Sequence, residues 1–177
     1  MNRKDSDDRN LFQGGFLGLD NIGIFDRSKP VGDGATLTQS DATAWMATYA
    51  LNLMRIAIEL ALDDPTFEDM AEKFFEHFLL IAGATGAGVW DEPDGFFYDV
   101  IETRDGQRLP IRARTMVGLI PIFAVAVINE CDLARLPSLR NRMVFFLRNR
   151  PDLATLVSRW NEPGAGQTAL LSLLRGH

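Results

Sequence analysis

Residues 42–62, ATAWMATYALNLMRIAIELAL, predict one long helix with apolar side chains at nearly every angle around its axis. Asn52, Arg55 and Glu59 are its only strongly polar exceptions. Short polar side chains at 39–41 precede it, and such residues can cap free backbone N–H groups at a helix start. Because a helix that is apolar all round is normally buried on most sides, we expect other parts of the protein to enclose this one.

Three further segments continue the pattern. Residues 66–84 have apolar and charged side chains on opposite sides, which predicts a half-exposed amphipathic helix. Residues 115–128 are again apolar throughout and fit either a buried strand or a buried helix; their length and their Ala and Met content favour a helix, bent or starting near Pro121. Residues 138–153 predict a second amphipathic helix. Alternating buried and exposed helices are typical of toroids and solenoids of helix pairs.

Two other segments differ in character. Asp105-Gly106, between FFYDVI and RLPIRA, predicts a small β-hairpin at about residues 96–113. The leucines of residues 170–174 follow the last amphipathic segment with no evident partner. Two helix pairs do not close a ring, so this apolar end predicts either a missing remainder of the fold or self-association.

Composition limits the classes of partner and compartment. The chain has 177 residues, a length within the range of a single domain, and residues 1–10 form a polar segment that we expect to be disordered. A net charge of −6 argues against nucleic-acid binding, since phosphate contacts need clustered Lys and Arg. The single cysteine and the absence of a secretory signal or a bilayer-spanning run predict a cytoplasmic protein with no membrane partner.

Five blocks, taken in chain order, resemble glycoside hydrolase family 63, and most closely its bacterial, mannosyl-oligosaccharide-glucosidase-like members. They are FQGGFLGLDNIGIFDRS, QSDATAWMATYALNLMRIAIELA, FFEHFLLIA, VWDEPDGFFYDV and MVGLIPIFAV. The likeness runs from about residue 11 to residue 160. The GLDN and QSDxTAWM blocks are specific in combination, whereas either alone is a weak signal.

The resemblance implies a mainly α fold, a partial (α/α)6 barrel of alternating inner and outer helices with one small β-hairpin, over residues 11–177. It also implies hydrolysis of α-glycosidic bonds, chiefly of glucosides and oligosaccharides, with inversion at the anomeric carbon. Asp20, in the loop of residues 11–39, would be the general acid. The general base would be a glutamate in a later part of the barrel that this chain lacks, so the chain alone should be inactive.

Residues beside the acid predict a sugar site. Apolar neighbours of Asp20 would raise its pKa, as a general acid requires. Asp41 and Trp45 lie one helical turn apart and would share a face. Carbohydrate sites commonly combine carboxylates with flat rings, so the substrate-binding candidates are Asn21, Asp41, Trp45, Trp90 and Asp91.

Other interpretations of these residues stay open. Asp41 could simply cap its helix, Trp45 could belong to the core, and Asp26-Arg27 could form a local ion pair. The two histidines do not form a metal site, and no nucleotide-binding or thiol motif predicts a cofactor. The alternative function is a non-catalytic helical module for binding or assembly.

Overall fold

The computed structural model describes residues 8–13, 26–27, 29–154 and 168–174. The helices are α1 (Ser40–Ala61), α2 (Glu68–Gly88), α3 (Glu130–Arg135), α4 (Pro137–Asn149) and α5 (Pro151–Ala154). The strands are β1 (Thr36–Thr38), β2 (Trp90–Asp91), β3 (Phe96–Phe97), β4 (Val100–Glu102), β5 (Arg108–Pro110), β6 (Val125–Asn129) and β7 (Thr168–Ser172). Two 3-10 helices, Pro65–Phe67 and Met116–Phe123, complete the set. None of the helices among these residues is long and apolar enough to cross a membrane.

The chain divides into two compact units. Unit 1 consists of Met1–Met46 and Ala84–Phe123. Its larger sheet has the antiparallel order β1-β4-β5, and β2 pairs with β3 in a second sheet. Gly106 has a φ of 81° in the turn between β4 and β5, a left-handed conformation that glycine adopts without strain. The predicted Asp105-Gly106 hairpin is therefore present, with β1 added as a third strand.

Unit 2 consists of Ala47–Gly83 and Ala124–His177. Its core contains fully buried side chains from three helices, α1, α2 and α4, among them Leu51, Phe75, Phe78 and Leu139. The rings of Phe75 and Phe146 meet edge to face, with centroids 6.3 Å apart. The amphipathic patterns predicted at 66–84 and 138–153 are thus confirmed as helical, although the second is divided into α4 and α5 at Arg150 and Met70 of the first is 46% exposed.

The expected fold class is wrong. The described residues form a mixed α/β structure with seven strands in three antiparallel sheets, rather than a mainly α partial (α/α)6 barrel with one hairpin. The main cause is the apolar segment 115–128, which is a 3-10 helix followed by strand β6 instead of one α-helix. Pro121 lacks the N–H that an α-helix would use, and the β-branched residues after it suit a strand.

The C-terminal leucines also differ from expectation. Strand β7 pairs antiparallel with β6 along all five residues of each strand, from Val125 opposite Ser172 to Asn129 opposite Thr168. Leu171 and Leu173 are buried. The segment that had no partner in the sequence therefore pairs within its own unit, with a strand whose existence the sequence pattern did not predict.

Helix α1 is buried less completely than its composition predicts. One side is packed, with Leu51, Met54 and Ile58 nearly inaccessible to solvent. On the other side, however, Tyr49 and Ile56 are 49% and 56% exposed. The sequence correctly predicted the helix, whereas its enclosure on most sides is not found among the described residues.

Candidate functional site

A cluster of one arginine and two aspartates is buried in unit 1. Arg27 donates two hydrogen bonds to Asp41, from Nη1 to Oδ2 at 3.1 Å and from Nη2 to Oδ1 at 2.5 Å. Its Nε lies 2.7 Å from Oδ2 of Asp99. The side chains of Arg27, Asp41 and Asp99 are 4%, 0% and 8% exposed. A two-point arginine–carboxylate contact fixes orientation as well as distance, so this cluster is a rigid anchor.

The start of α1 holds both carboxylates in place. The backbone N–H and the hydroxyl of Ser40 donate to Oδ1 of Asp99, at 2.9 Å and 3.1 Å. Oδ1 of Asp41 accepts from the N–H of Ala42 at 2.8 Å. These N–H groups lie in the first turn of a helix, where they have no partner within the helix and favour negative charge. The polar residues predicted to start the helix therefore do so, and they also build the cluster.

Two further hydrogen bonds fasten neighbouring chain segments to the same helix start. The hydroxyl of Thr43 accepts from the N–H of Phe12 at 3.0 Å. The side-chain amide of Gln39 donates to the carbonyl oxygen of Arg27 at 3.4 Å. The backbone of Arg27, and not only its guanidinium, is thus held against α1.

Burial sets the electrostatics of the cluster. It raises the pKa of Asp99 above its ordinary value, although Arg27 and the N–H of Ser40 act in the opposite direction and Asp41 adds to the rise. For Arg27, burial acts to lower the pKa, but the hydrogen bonds and charges of Asp41 and Asp99 outweigh it, and the net shift is upward. Arg27 is therefore cationic throughout the physiological range.

The sequence did not predict this cluster. Asp26-Arg27 was expected to form a local ion pair, but Asp26 lies 2.8 Å from Nζ of Lys29 while Arg27 turns toward Asp41 and Asp99. No spacing in the sequence joins positions 27, 41 and 99, because the approach of Asp99 to the start of α1 depends on the pairing of β4, which follows Asp99, with β1, which precedes α1. Little in the sequence indicates the cluster: Arg27, Asp41 and Asp99 are polar residues whose positions follow no shared periodicity.

Asp41 and Trp45 have different surroundings despite their spacing. Asp41 is completely buried against Arg27 and is not presented to solvent as a sugar ligand. Trp45 is half-buried, and its ring stacks on that of Phe123 at a centroid distance of 6.5 Å and an interplanar angle of 17°. Phe123 is 57% exposed. The Trp45–Phe123 pair therefore forms an aromatic surface near the start of α1, of which Phe123 is the more exposed member.

Trp90 and Asp91 lie in β2, at the rim of the small two-stranded sheet. The indole N–H of Trp90 donates to Glu92 at 2.5 Å, and its ring lies 4.7 Å from that of Phe97. Asp91 accepts from Arg112 at 3.0 Å and from the N–H of Asp94 at 3.1 Å. This pair thus combines a half-buried ring with a carboxylate that is already hydrogen-bonded on both oxygens.

The two remaining candidates, Asp20 and Asn21, lie outside the residues that the structure describes. Among the residues that it does describe, no group of three His, Cys, Asp or Glu side chains is arranged to hold a metal ion. The arginine–aspartate cluster, the Trp45–Phe123 surface and the Trp90–Asp91 pair are the features of unit 1 that bear on function.

The fold and the cluster define a mixed α/β chain with a buried ionic anchor at the start of its longest helix. No protein-family model matches the chain. No solved structure matches it either. The uncharacterized protein YMR196W of Saccharomyces cerevisiae is 40% identical over 193 residues, an alignment that covers 98% of this chain. The chain spans 18% of the length of that relative.

Proposed function

We propose that this chain is part of the catalytic region of an inverting α-glycosidase that acts on glucosides or oligosaccharides, with Asp20 as general acid. The general base would be supplied by polypeptide outside this chain. The proposal therefore concerns a longer protein that contains this segment. The yeast relative is such a longer protein, since the chain spans 18% of its length.

One observation carries the proposal. The cluster joins Arg27 of the GLDNIGIFDRS block, Ser40 and Asp41 of the QSDATAWM block, and Asp99 of the VWDEPDGFFYDV block. These are the blocks on which the resemblance to glycoside hydrolase family 63 depends. One charged residue from each of these three blocks, Arg27, Asp41 and Asp99, thus meets the others in unit 1, and this arrangement supports interpreting the blocks as parts of one site rather than as unrelated likenesses.

The chemistry requires two carboxyl groups with different tasks. In an inverting hydrolase, one carboxylic acid protonates the leaving oxygen while the other activates water from the opposite face, and the two lie about 6.5–9.5 Å apart. The acid needs a raised pKa. Apolar residues surround Asp20 in the sequence, which supports that role. Seven positions further along the chain, the side-chain amide of Gln39 holds the backbone of Arg27.

Substrate contacts are proposed for Trp45, Trp90 and Asp91 and, from the sequence alone, for Asn21. The ring of Trp90 and the stacked pair Trp45–Phe123 offer apolar faces to the C–H side of a pyranose, and Asp91 and Asn21 offer polar groups to its hydroxyls. Asp41 contributes through Arg27 instead of by contact with sugar, because it is fully buried. The cytoplasmic location and the absence of a cofactor stay predictions.

The test uses the longer protein that contains this segment. Hydrolysis of an α-glucoside with a poor leaving group should release the β-anomer, seen by following the anomeric proton in NMR during the first turnovers. Asp20→Asn should abolish the activity, whereas Asp26→Asn, in the same loop but bonded to the exposed Lys29, should leave it nearly unchanged. Near-normal turnover in the Asp20→Asn protein would overturn the assignment.

A further inference from the structure

An exposed apolar stripe follows one side of α1 within unit 2. Tyr49, Leu53, Ile56 and Leu60 are 49%, 36%, 56% and 45% exposed. Their spacing of four, three and four residues is that of a coiled-coil seam, which places one side chain per turn on a single line. At 1.5 Å per residue the stripe is about 17 Å long. Charged residues normally occupy such a face when it stays in water.

The stripe continues onto the sheet of the same unit. Val125 and Val127, on the outer face of β6, are 47% and 49% exposed, and Leu170 opposite Val127 on β7 is 38% exposed. Ile56 and Val127 line one open cavity of about 570 Å³ between helix and strand. We call these seven side chains, with the cavity between them, the α1–β6 surface. Contiguous apolar surfaces of this kind mark interaction sites.

The polar rim of the surface carries both signs of charge. Arg55, Glu59 and Asp132 border the cavity, with Asn52 and Asn129 beside them. Arg55 and Glu59 are one turn apart on α1, yet no ion pair joins them in the described part of the chain. A rim of one sign would repel its own copy, whereas a mixed rim does not.

From this arrangement we propose that the α1–β6 surface is the interface through which two copies of this chain associate, with their α1 helices antiparallel. A two-fold interface requires a patch that is complementary to itself. When α1 is laid antiparallel on α1 of a second copy, Leu53 faces Ile56 of the second copy and Tyr49 faces its Leu60. Every seam position then meets an apolar partner.

The flanking positions are compatible with the same pairing. Asn52 and Glu59 lie on the same side of the seam, seven residues apart, so each Asn52 comes opposite Glu59 of the second copy. The amide can donate to the carboxylate, which gives two equivalent hydrogen bonds across the two-fold axis. In a parallel arrangement, Asn52 and Glu59 of the second copy would lie on opposite sides of the seam, so this hydrogen bond could not form. The inference concerns unit 2 and does not depend on the glycosidase proposal.

Sedimentation equilibrium of the 177-residue chain tests the proposal. We expect a reversible dimer at neutral pH. Ile56→Glu, at the centre of the seam, should weaken association by at least about thirtyfold, as for a hot-spot residue. The matched control is Phe145→Glu, because Phe145 is 70% exposed on α4 and lies outside the surface. Circular dichroism checks that both variants fold, and Ile56→Ala provides a milder variant if Ile56→Glu does not.

Disulfide cross-linking tests whether the two α1 helices are antiparallel. In a Cys131→Ser background, which removes the exposed native thiol, an equimolar mixture of Leu53→Cys and Ile56→Cys chains should form disulfide-linked heterodimers faster than either chain alone forms homodimers. A chain that stays monomeric overturns the proposal. A dimer that Ile56→Glu leaves intact, or a mixture without preferential heterodimers, overturns it as well, since the surface would then be covered by something other than an antiparallel second copy.

Discussion

Arg27 donates two hydrogen bonds to Asp41, of 3.1 Å and 2.5 Å, and 4% of the arginine side chain and none of the aspartate side chain are exposed. The same arginine lies 2.7 Å from Asp99. One cation thus compensates two buried carboxyl groups. A buried charge without its partner destabilises the folded state. The effects of substituting the three residues on the free energy of unfolding should therefore not be additive.

The first prediction concerns Arg27 itself. Arg27→Met keeps the length of the side chain but leaves two buried carboxyl groups without their cation, so we expect a loss of about 3–5 kcal/mol in the free energy of unfolding. Urea denaturation at neutral pH measures it. Arg140→Met is the control, because Arg140 is 54% exposed and its contact with Glu130 is 3.4 Å long. If both variants lost equally little, Arg27 would not be an anchor.

The second prediction concerns the pH dependence that Asp99 causes. Burial raises the pKa of this carboxyl above its ordinary value of 3.8, so between that value and the raised pKa the folded state holds a proton that the unfolded state has released. The contribution of Asp99 to stability is therefore complete below pH 3.8 and decreases as the pH rises through the folded pKa. The charged side chains that act on Asp99 are those of Arg27, which lowers its pKa, and Asp41, which raises it.

Asp99→Asn tests this directly. The difference in unfolding free energy between the wild type and Asp99→Asn should shift against the wild type as the pH rises from 3.8, and NMR titration of the Asp99 carboxyl carbon should give a midpoint above 3.8. A midpoint at or below 3.8 would mean that Arg27 and Ser40 outweigh burial. Asp105→Asn is the comparison, since hydrogen bonding to Thr103 lowers the pKa of that exposed carboxyl.

Local elements could be predicted from the sequence because their causes are local. The helix at 40–61 has its start marked by polar capping residues, and the hairpin turn has Asp105-Gly106. The amphipathic segments give α2 and α4 in the same way. In each case, side-chain period or turn chemistry within about twenty residues decides the outcome, and no distant contact is needed.

Long-range pairing could not be predicted, and the fold class was wrong for that reason. Segment 115–128 is equally apolar as helix or strand. Pro121 disfavours one continuous α-helix, but the strand is completed only by its pairing with β7, about forty residues later. Likewise, Arg27 selects Asp41 and Asp99 over its neighbour Asp26 because sheet and helix packing bring them within reach. The spacing of apolar residues along the sequence does not show which distant residues will contact each other.

The third prediction concerns the packing of the 3-10 helix. A Cβ added at Gly118 would overlap the ring of Phe96 and the carbonyl oxygen of Phe97, and the backbone oxygen has little room to move. Gly118→Ala should therefore cost about 1–3 kcal/mol of unfolding free energy, as other overpacked sites do. Thermal or urea denaturation measures the loss.

Gly106 serves as a control that distinguishes the steric overlap of an added Cβ from an effect of backbone conformation. Gly106 has a φ of 81° and no atom within 4 Å of an added Cβ. Gly106→Asn introduces a residue that tolerates left-handed backbone, so it should cost clearly less than Gly118→Ala. Equal losses at the two positions would mean that crowding at Phe96 and Phe97 is not what limits position 118.

The fourth prediction concerns the start of α4. Leu136, at the N-cap of this helix, offers no side-chain cap, and Glu68 from the start of α2 takes that place by accepting from the N–H of Leu139 at 2.8 Å. A carboxylate at a helix N-terminus accepts a hydrogen bond from an otherwise unpaired N–H and interacts favourably with the positive end of the helix dipole. Glu68→Ala should thus lose about 1 kcal/mol of unfolding free energy, in the range of other capping residues.

Two substitutions of Glu68 distinguish the contribution of its charge to stability from that of its hydrogen bond. Glu68→Gln keeps an acceptor oxygen but not the charge, so it should fall between the wild type and Glu68→Ala, and added salt should narrow its difference from the wild type. Amide hydrogen exchange at Leu139 should quicken more in Glu68→Ala than in Glu72→Ala, since Glu72, between the same two helices, accepts from the exposed guanidinium of Arg142 and not from the N–H of Leu139. Equal exchange in the two alanine variants would show that α4 is capped by some other group, and that Glu68 acts only as one more surface charge.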